Sequence, residues 1–438
     1  MTAYHRLRAR LPSYLIAVVL ATVPFHAFLT VWASSLFGHY TLLRLWPEII
    51  LLVLTVWVII SVKQDTSLRR AVQSSRLIQI VAAYLALTVL LGLASYWRGD
   101  VSLKALAYGL LLNMRFLVWF VVVWIIASRS DWLQSHWQKL TFIPLAIVAT
   151  FALLQFFLLP VNFLAHFGYD KLTTIAPIQT INQDTETIRA QSFLRGPNPL
   201  GAYLVAGIGL AAFAVLPLGR KLGLITASFL ALLVTFSRSA WLGLIASCAA
   251  ALSLLDRKKL KPLIISVSVV LVLATALVFI FRHNGGIQNA ILHVDTTQSS
   301  APETSNSGHL AAVRQSVRDV VHEPIGRGPG TAGPASVYNH AALPRNSENY
   351  FLNVGQELGV IGLGLFCAIL IMLGAMLRRD PSPLGRGLFV TLVALIVINL
   401  FSYAWTDPTL AYIWWGLVGV ALAASAPLAV TTSRRKRP

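Results

Sequence analysis

Apolar runs of about 20 residues recur along the whole chain, and they limit it to one kind of structure. A helix of about 20 residues crosses the hydrocarbon core of a bilayer, where only helices and closed barrels satisfy their own backbone hydrogen bonds. The 438 residues are 56% hydrophobic and 12% charged, which excludes a soluble class. We therefore expect an all-α fold: a polytopic membrane helix bundle with a long outer-face loop that contains short helices.

About twelve of these runs are candidates for transmembrane helices. They begin near residues 12, 45, 77, 105, 141, 198, 222, 240, 263, 355, 388 and 410. The first run, from Leu11 to about Ala33, is too long for a signal-peptide core and lacks a typical cleavage site, so we expect it to be retained. The seventh and eighth runs are separated only by Ser237-Arg238-Ser239, and they form either two helices or one broken helix.

These runs divide the chain into five regions. Residues 1–160 contain helices 1 to 5, residues 198–281 contain helices 6 to 9, and residues 350–438 contain helices 10 to 12 and a basic tail. Residues 161–197 and 282–349 form a first and a larger outer loop. Connections of this length are usually functional or unstructured, so we expect the site on their side of the membrane.

The positive charge is distributed as in a membrane protein. The net charge is +19, and most Lys and Arg residues lie in short segments between the predicted helices. By the positive-inside rule these segments are cytoplasmic. The distribution predicts a multi-pass membrane protein with both termini in the cytoplasm. The same distribution indicates the lipid bilayer as a partner and argues against binding of nucleic acid.

The larger outer loop contains one stretch with helical periodicity, GHLAAVRQSVRDVVHEPIG. It predicts a surface-lying amphipathic helix with Ser307 as the N-cap and Pro324 just beyond its end. The apolar positions are Leu310, Val313, Val317, Val320 and Val321. Arg314 and Arg318 lie one turn apart on the polar side, where they face either water, which we favour, or lipid phosphates.

In this topology, several charged side chains converge at the outer edge of the membrane. They are Arg44, Glu48, Arg195, Arg238, Arg345, Glu348 and Asp407. Arginine suits a diphosphate because its rigid fork donates two parallel hydrogen bonds to phosphate oxygens. The alternative for Arg238 is an interfacial anchor. Arg115 falls near the midplane, where we expect it to have an internal ion-pair partner.

Glu348 is the candidate general base. A carboxylate at a partly desolvated membrane edge can accept the proton of an attacking hydroxyl group. The alternative is an ion pair between Glu348 and Arg345. The segment GRGPGTAGPAS matches neither nucleotide-binding pattern, so it predicts a tight turn. No metal-binding motif occurs, and we expect no metal and no cofactor.

Four segments together resemble the O-antigen ligase and polymerase family. LRGPNPLGAYL (194–204) is similar to the segment that opens a central span, and TFSRSAWLGL (235–244) to the family's most recognisable stretch. HEPIGRGPGTAG (322–333) resembles its P-x-G-x-G-x-G turn, and SENYFLNVGQELGVIGLGLF (347–366) its closing element. The likeness covers about residues 190–405, and it rests on the order and spacing of the segments.

The resemblance implies an enzyme of the bacterial cytoplasmic (inner) membrane that acts on undecaprenyl-diphosphate-linked glycans at the outer face of that membrane. It implies metal-independent, inverting glycosyl transfer to a glycan, lipid or protein acceptor. Arginines would hold the diphosphate while a base near the long loop deprotonates the acceptor. Carried over, Arg195 and Arg238 hold the diphosphate, with Arg345 and Arg314 as further candidate ligands.

The chain departs from the family's pattern at the base. Ligases resemble H-N-x-x-L at the closing element, whereas this chain reads ENYFL over 348–352, so Glu348 takes the place of histidine. His309 lies near where many members have an arginine, and it is either a weaker phosphate ligand or an alternative base. His340, in the stretch before Arg345, is a third candidate for the base. Ligase and polymerase activities both stay open.

Two other functions compete with glycosyl transfer. A transporter or lipid-linked-sugar flippase also commonly has twelve helices with both ends in the cytoplasm. The chain shows no pair of matching six-helix halves, and a long outer insertion is not required for alternating access. A non-catalytic scaffold is the third interpretation, in which Arg238 and Glu348 are structural.

The topology predicts the outcome of reporter fusions. We expect no alkaline phosphatase activity from a fusion after Lys259, because segment 256–262 is basic and therefore cytoplasmic. We expect activity from a fusion after Ser300, in the larger outer loop. The reverse result at either position would overturn the topology and the outer-face site.

Overall fold

The computed structural model of the protein describes residues 3–181, 184–254 and 305–425. Most of these residues are helical and only two short strands are present among them, which confirms the all-α membrane fold. Each predicted span outside 255–304 has a helix at its place. The ninth span, both fusion points and the basic tail lie outside the described residues, and the total of twelve spans stays a prediction.

The first half of the chain contains eight helices. They are α1 (Ala3–Thr22), α2 (His26–Phe37), α3 (Tyr40–Leu43), α4 (Trp46–Gln64), α5 (Thr66–Ser74), α6 (Arg76–Trp97), α7 (Leu103–Ala127) and α8 (Trp132–Phe157). The first apolar run was expected as one helix, but a 3₁₀ turn at Val23–Phe25 separates α1 from α2. Pro24 explains the break because it has no amide hydrogen for the helical ladder.

The second half contains seven described helices and one hairpin. The helices are α9 (Pro197–Phe213), α10 (Leu218–Leu233), α11 (Arg238–Leu252), α12 (Ser305–His322), α13 (Tyr350–Arg379), α14 (Pro383–Asn399) and α15 (Pro408–Ser425). Strands β1 (Gln179–Ile181) and β2 (Asp184–Arg189) form an antiparallel hairpin in the first outer loop. The sequence analysis did not predict this hairpin.

Seven described helical segments are long and apolar enough to cross a membrane, and the first of them includes most of α1 and all of α2. They are Arg10–Phe37, Trp46–Gln64, Arg76–Trp97, Leu103–Ala127, Trp132–Phe157, Tyr350–Arg379 and Pro408–Ser425. Three shorter apolar helices, α9, α11 and α14, pack among them. The seventh and eighth apolar runs form two separate helices, α10 and α11, with a bend over residues 234–237 between them.

Helices α7 and α15 form the centre of the bundle. Both are largely buried, and Trp119 of α7 donates a 2.7 Å hydrogen bond from Nε1 to the carbonyl of Tyr412. A Cβ at Gly416 would lie 2.6 Å from Trp119 Nε1, and one at Gly419 would lie 2.9 Å from the Phe120 carbonyl oxygen. Small residues thus let the two backbones approach closely, as in other membrane helix pairs.

The glycine-rich turn over 324–333 docks against a kink in α13. Gly359 has a left-handed φ of 67° inside this helix, so the carbonyls before it are free to accept other hydrogen bonds. Arg327 donates its amide N–H to Gln356 (3.0 Å), and Gly328 donates to Glu357 (2.7 Å). The expected tight turn is therefore present, and its backbone pairs with a helix.

The other side of this turn rests on α7. A Cβ at Gly109 would lie 2.3 Å from the amide nitrogen of Gly330. The buried carboxylate of Glu357 accepts hydrogen bonds from Gly330 N and Asn113 Nδ2, both at 2.7 Å. The turn thus joins α7 and α13.

Helix α12 lies where the amphipathic helix was predicted, but its first residue and its exposed face differ from the prediction. The predicted N-cap, Ser307, lies inside the helix, which begins two residues earlier. Ser316 is buried, while Leu310, Val317 and Val321 of the predicted apolar stripe are exposed. Most of the stripe therefore faces outward, whereas Val320, a stripe residue near the end of α12, packs against Gly355 of α13.

We predict that Gly109→Ala destabilises the protein by about 1–3 kcal/mol, because the new methyl group overpacks a backbone contact. Thermal unfolding of the purified protein in detergent measures the effect. Gly364→Ala is the matched control in another apolar helix, since a Cβ there meets nothing within 4 Å. Equal unfolding temperatures for the two variants would contradict the docking.

Candidate functional site

The N-termini of α9 and α11 lie side by side. A Cβ at Gly201 would lie 2.8 Å from the Ala240 Cβ and 3.0 Å from the Ser237 Cβ, so the two helices start in close contact. A helix N-terminus presents free amide groups and the positive end of the helix dipole. This edge of the bundle therefore favours a negative charge even before its side chains are considered.

Two arginines lie at this edge. Arg238 is the first residue of α11 and is partly buried. Arg189, at the end of β2, donates from Nε to the Thr235 carbonyl and from Nη2 to Asn198 Oδ1, both at 2.8 Å. Burial and then the positive charge of Arg238 lower the pKa of Arg189 to about 10. Two cations this close are suited to a shared anion.

A polar pocket lies next to this edge, and we call it the arginine pocket. Its polar lining residues are His26, Thr30, Tyr40, Arg44, Glu48, Tyr108, Arg115, Arg195, Thr406, Asp407 and Thr409. The Arg44 guanidinium lies 4.9 Å from the centre of the Tyr108 ring. Four of the charged residues expected at the outer edge therefore share one pocket, namely Arg44, Glu48, Arg195 and Asp407, and Arg115, which was expected near the midplane, lines it too.

Arg195 connects the two regions. It immediately precedes α9 in the chain, and it faces Tyr40 and Tyr108 in the arginine pocket. Burial opposes the charge of Arg195, but Tyr108, Tyr40 and Asp407 outweigh it and raise the arginine's pKa. Arg195 thus stays a cation at the boundary between the α9 N-terminus and the pocket.

Arg115 has the internal partner that its position requires. Its Nη1 lies 2.9 Å from Glu48 Oε1, and its Nη2 donates to the carbonyl of Thr406. The pair joins α4, α7 and the segment before α15. Arg115 is buried, so the ion pair offsets a cost of desolvation that neither charge could bear alone.

His309 and Glu348 are in contact. His309 Nδ1, on α12, hydrogen-bonds Glu348 Oε2, and the His309 ring stacks on Phe401 with centroids 6.4 Å apart. The structure thus brings together the two residues proposed as bases. Glu348 does not form the alternative ion pair with Arg345.

The backbone of Glu348 is held in an unusual conformation. Its φ of 50° is in the left-handed region, which costs free energy for a residue with a side chain. The hydroxyl group of Tyr403, a half-buried residue, accepts hydrogen bonds from the amides of Ser347 and Glu348, both at 2.8 Å. Tyr403 therefore positions the Glu348 carboxylate toward His309, a role that the sequence analysis missed.

Arg345 and Arg314 lie apart from these groups. Arg345 Nη1 is 2.9 Å from Glu323 Oε2 and 3.7 Å from Asp319 Oδ2. Burial raises the pKa of Glu323, but hydrogen bonds from Arg345 and Arg327 lower it below the usual value. Arg314 is exposed on a different face of α12 from His309, and His340 is exposed in the loop before Arg345.

The segment 400–407 lies between the His309–Glu348 pair and the arginine pocket. Gly243 of α11 packs on Ile398 just before this segment, which places the N-terminus of α11 beside it. Phe401 and Tyr403 contact the His309–Glu348 pair, whereas Thr406 and Asp407 line the arginine pocket. One short connection thus contacts the base candidates and lines the pocket, and α11, the helix that begins at Arg238, packs just before it.

Two further residues escaped the sequence analysis, Arg189 and Glu357. Glu357 is an acid inside an apolar run, and this signal could have marked it. Arg189 lies in an outer loop without periodicity, and only the tertiary fold places it beside Arg238. Among the described residues, no three His, Cys, Asp or Glu side chains are grouped to hold a metal ion; a metal-free, cofactor-free site stays a prediction.

Comparison with known families supports one part of the chain directly. Residues 222–367 match the family model described as O-Antigen ligase. The match confirms the resemblance for the segments around Arg238, the glycine-rich turn and Glu348, whereas the segment around Arg195 lies outside it. No curated protein matches the chain.

We predict that Arg115→Met lowers the free energy of unfolding by about 3–5 kcal/mol, because Glu48 is left as a buried, unpaired charge. The double variant Arg115→Met/Glu48→Gln should recover most of this loss. Denaturation in detergent measures both effects. If the double variant is as unstable as the single one, the ion pair is not the reason for the instability.

Proposed function

Because residues 222–367 carry an O-antigen ligase segment, we propose that this membrane protein transfers a glycan in polysaccharide assembly. The donor is an undecaprenyl-diphosphate-linked oligosaccharide or polysaccharide, and the acceptor is a hydroxyl group at the outer face of the cytoplasmic membrane. The transfer is metal-independent and inverts the anomeric carbon. The observation that carries the proposal is that residues 400–407 contact the His309–Glu348 pair and line the arginine pocket, with α11, which begins at Arg238, packed just before them.

The arginines hold the leaving group in this proposal. Arg238 and Arg195 take the diphosphate between the N-termini of α9 and α11, and Arg189 supports Arg238. When the bond from the anomeric carbon to the phosphate oxygen breaks, the diphosphate keeps the electron pair. Guanidinium forks and helix N-termini stabilise this growing negative charge.

Glu348 is the general base in this proposal. Its side chain is 47% exposed, against 28% for His309, so it is the member of the pair more open to an acceptor. Glu348 takes the proton of the hydroxyl group as its oxygen attacks the anomeric carbon. His309 donates to the other carboxylate oxygen and holds the group in place.

Arg345 and Arg314 have other roles here. Glu323 and Asp319 engage the guanidinium of Arg345, which ties the loop before Glu348 to the end of α12. Arg314 faces outward on α12, where it contacts solvent or lipid headgroups. We therefore assign neither residue to the diphosphate.

Two variants separate binding from proton transfer. We expect Glu348→Gln to abolish turnover and leave donor binding intact, because the amide keeps the shape but takes no proton. We expect Arg238→Lys to lose nearly as much as Arg238→Ala, because lysine lacks the fork that binds a diphosphate. Transfer and binding are measured with purified protein and an undecaprenyl-diphosphate sugar.

Arg98→Lys is the control, since Arg98 is an exposed arginine outside the site, paired with Asp100; it should change neither quantity. If Glu348→Gln stays active and His309→Ala does not, His309 is the base. Activity in both would exclude proton transfer by this pair. A wild-type protein that binds no lipid-linked sugar but carries a solute across vesicles would be a transporter.

A further inference from the structure

We propose that the arginine pocket is a subsite for an acidic sugar of the glycan. The inference rests on the proposed function, which brings a glycan to this face. Arg195 takes part in the diphosphate site and also lines the pocket. A sugar close to the diphosphate would therefore reach Arg44, Glu48 and Asp407.

The charges of the pocket leave room for one negative group. Glu48 neutralises Arg115 through their 2.9 Å ion pair. Among the described residues, neither Arg44 nor Arg195 has a carboxylate within ion-pair distance. Asp407 is the remaining acid, and burial raises its pKa. The guanidinium groups of Arg44 and Arg195 thus face one acid, Asp407, whose ionised form is disfavoured by burial. This charge balance favours a ligand with a single carboxylate over a neutral ligand.

The hydrogen-bonding groups distinguish a sugar from a phosphate. His26 Nδ1, Thr30 Oγ1, Arg115 Nε and Glu48 Oε2 are buried without a hydrogen-bond partner among the described residues. His26, Thr30 and Arg115 are at least nine-tenths buried, where an unmade hydrogen bond is costly. This set contains both donors and acceptors.

A fully ionised phosphate offers only acceptor oxygens, and Glu48 Oε2 and Asp407 would repel them. Sugar hydroxyl groups both donate and accept, so they can serve Glu48 and Arg115 at the same time. A carboxylate on the same ring then supplies the charge for Arg44 and Arg195. A uronic acid combines these features in one residue.

The pocket is also separate from the matched family segment. Its lining residues all lie before residue 196 or after residue 405, whereas the match covers 222–367. Arg238, His309 and Glu348 lie within the match. We therefore infer that the pocket selects the glycan, while the matched segment, together with Arg195, carries out the transfer.

Binding of small probes to the purified full-length protein tests this inference. We expect glucuronate to bind at least tenfold more tightly than glucose, which lacks the carboxylate. Arg44→Met should weaken glucuronate binding by at least tenfold and leave pyrophosphate binding unchanged. Arg238→Met should have the reverse effect, and Arg98→Met should change neither. Unfolding temperatures verify that each variant is folded.

Each outcome has one meaning. Equal binding of glucuronate and glucose, or unchanged glucuronate binding in folded Arg44→Met, would overturn the acidic-sugar subsite. Equal loss of glucuronate and pyrophosphate binding in Arg44→Met would make the pocket part of the diphosphate site. Unchanged pyrophosphate binding in Arg238→Met would instead count against the proposed function, whatever Arg44→Met shows. If Arg44→Met does not fold, Tyr40→Phe replaces it and should weaken glucuronate binding alone.

Discussion

The docking of the glycine-rich turn on the kink of α13 positions both members of the His309–Glu348 pair. The kink at Gly359 frees helix carbonyls that the amides of Arg327 and Gly328 occupy. This backbone pairing anchors the C-terminal end of α12, the helix that carries His309. Glu348 immediately precedes α13, whose N-cap, Asn349, accepts from Leu352 N at 3.0 Å. Both residues are thus held in place relative to one helix, α13. Attachment to a rigid element in this way gives a site its precise geometry.

The connection over 400–407 performs the complementary task on the other side of the site. Tyr403 holds the strained backbone of Glu348, and the Thr406 carbonyl accepts from Arg115. Polar backbone at this depth is tolerated only where protein groups or a hydrated cavity satisfy it. The same hydrogen bonds that satisfy this backbone therefore bring the base candidates close to the arginine pocket.

The site combines a matched segment with parts from the rest of the chain. The O-antigen ligase match contains Arg238, His309 and Glu348, whereas Arg189, Arg195 and the pocket residues come from outside it. Transfer chemistry needs a leaving-group clamp and a base, whichever glycan is moved. Selection of the glycan needs contacts with the sugars themselves. The proposed division between segment and pocket follows these two requirements.

The membrane class, the positions of the spans outside 255–304 and the tight glycine turn can all be predicted from the amino-acid sequence. Hydropathy and turn chemistry act between neighbours along the chain, so they can be recognised without the fold. The sequence also indicated that Arg44, Glu48, Arg195 and Asp407 share one edge. The β1–β2 hairpin, the break at Pro24 and the kink at Gly359 were not predicted. Only the tertiary structure paired His309 with Glu348, Arg189 with Arg238 and Arg115 with Glu48. These partners are distant in sequence, and helix packing, which local periodicity does not encode, decides which side chains meet.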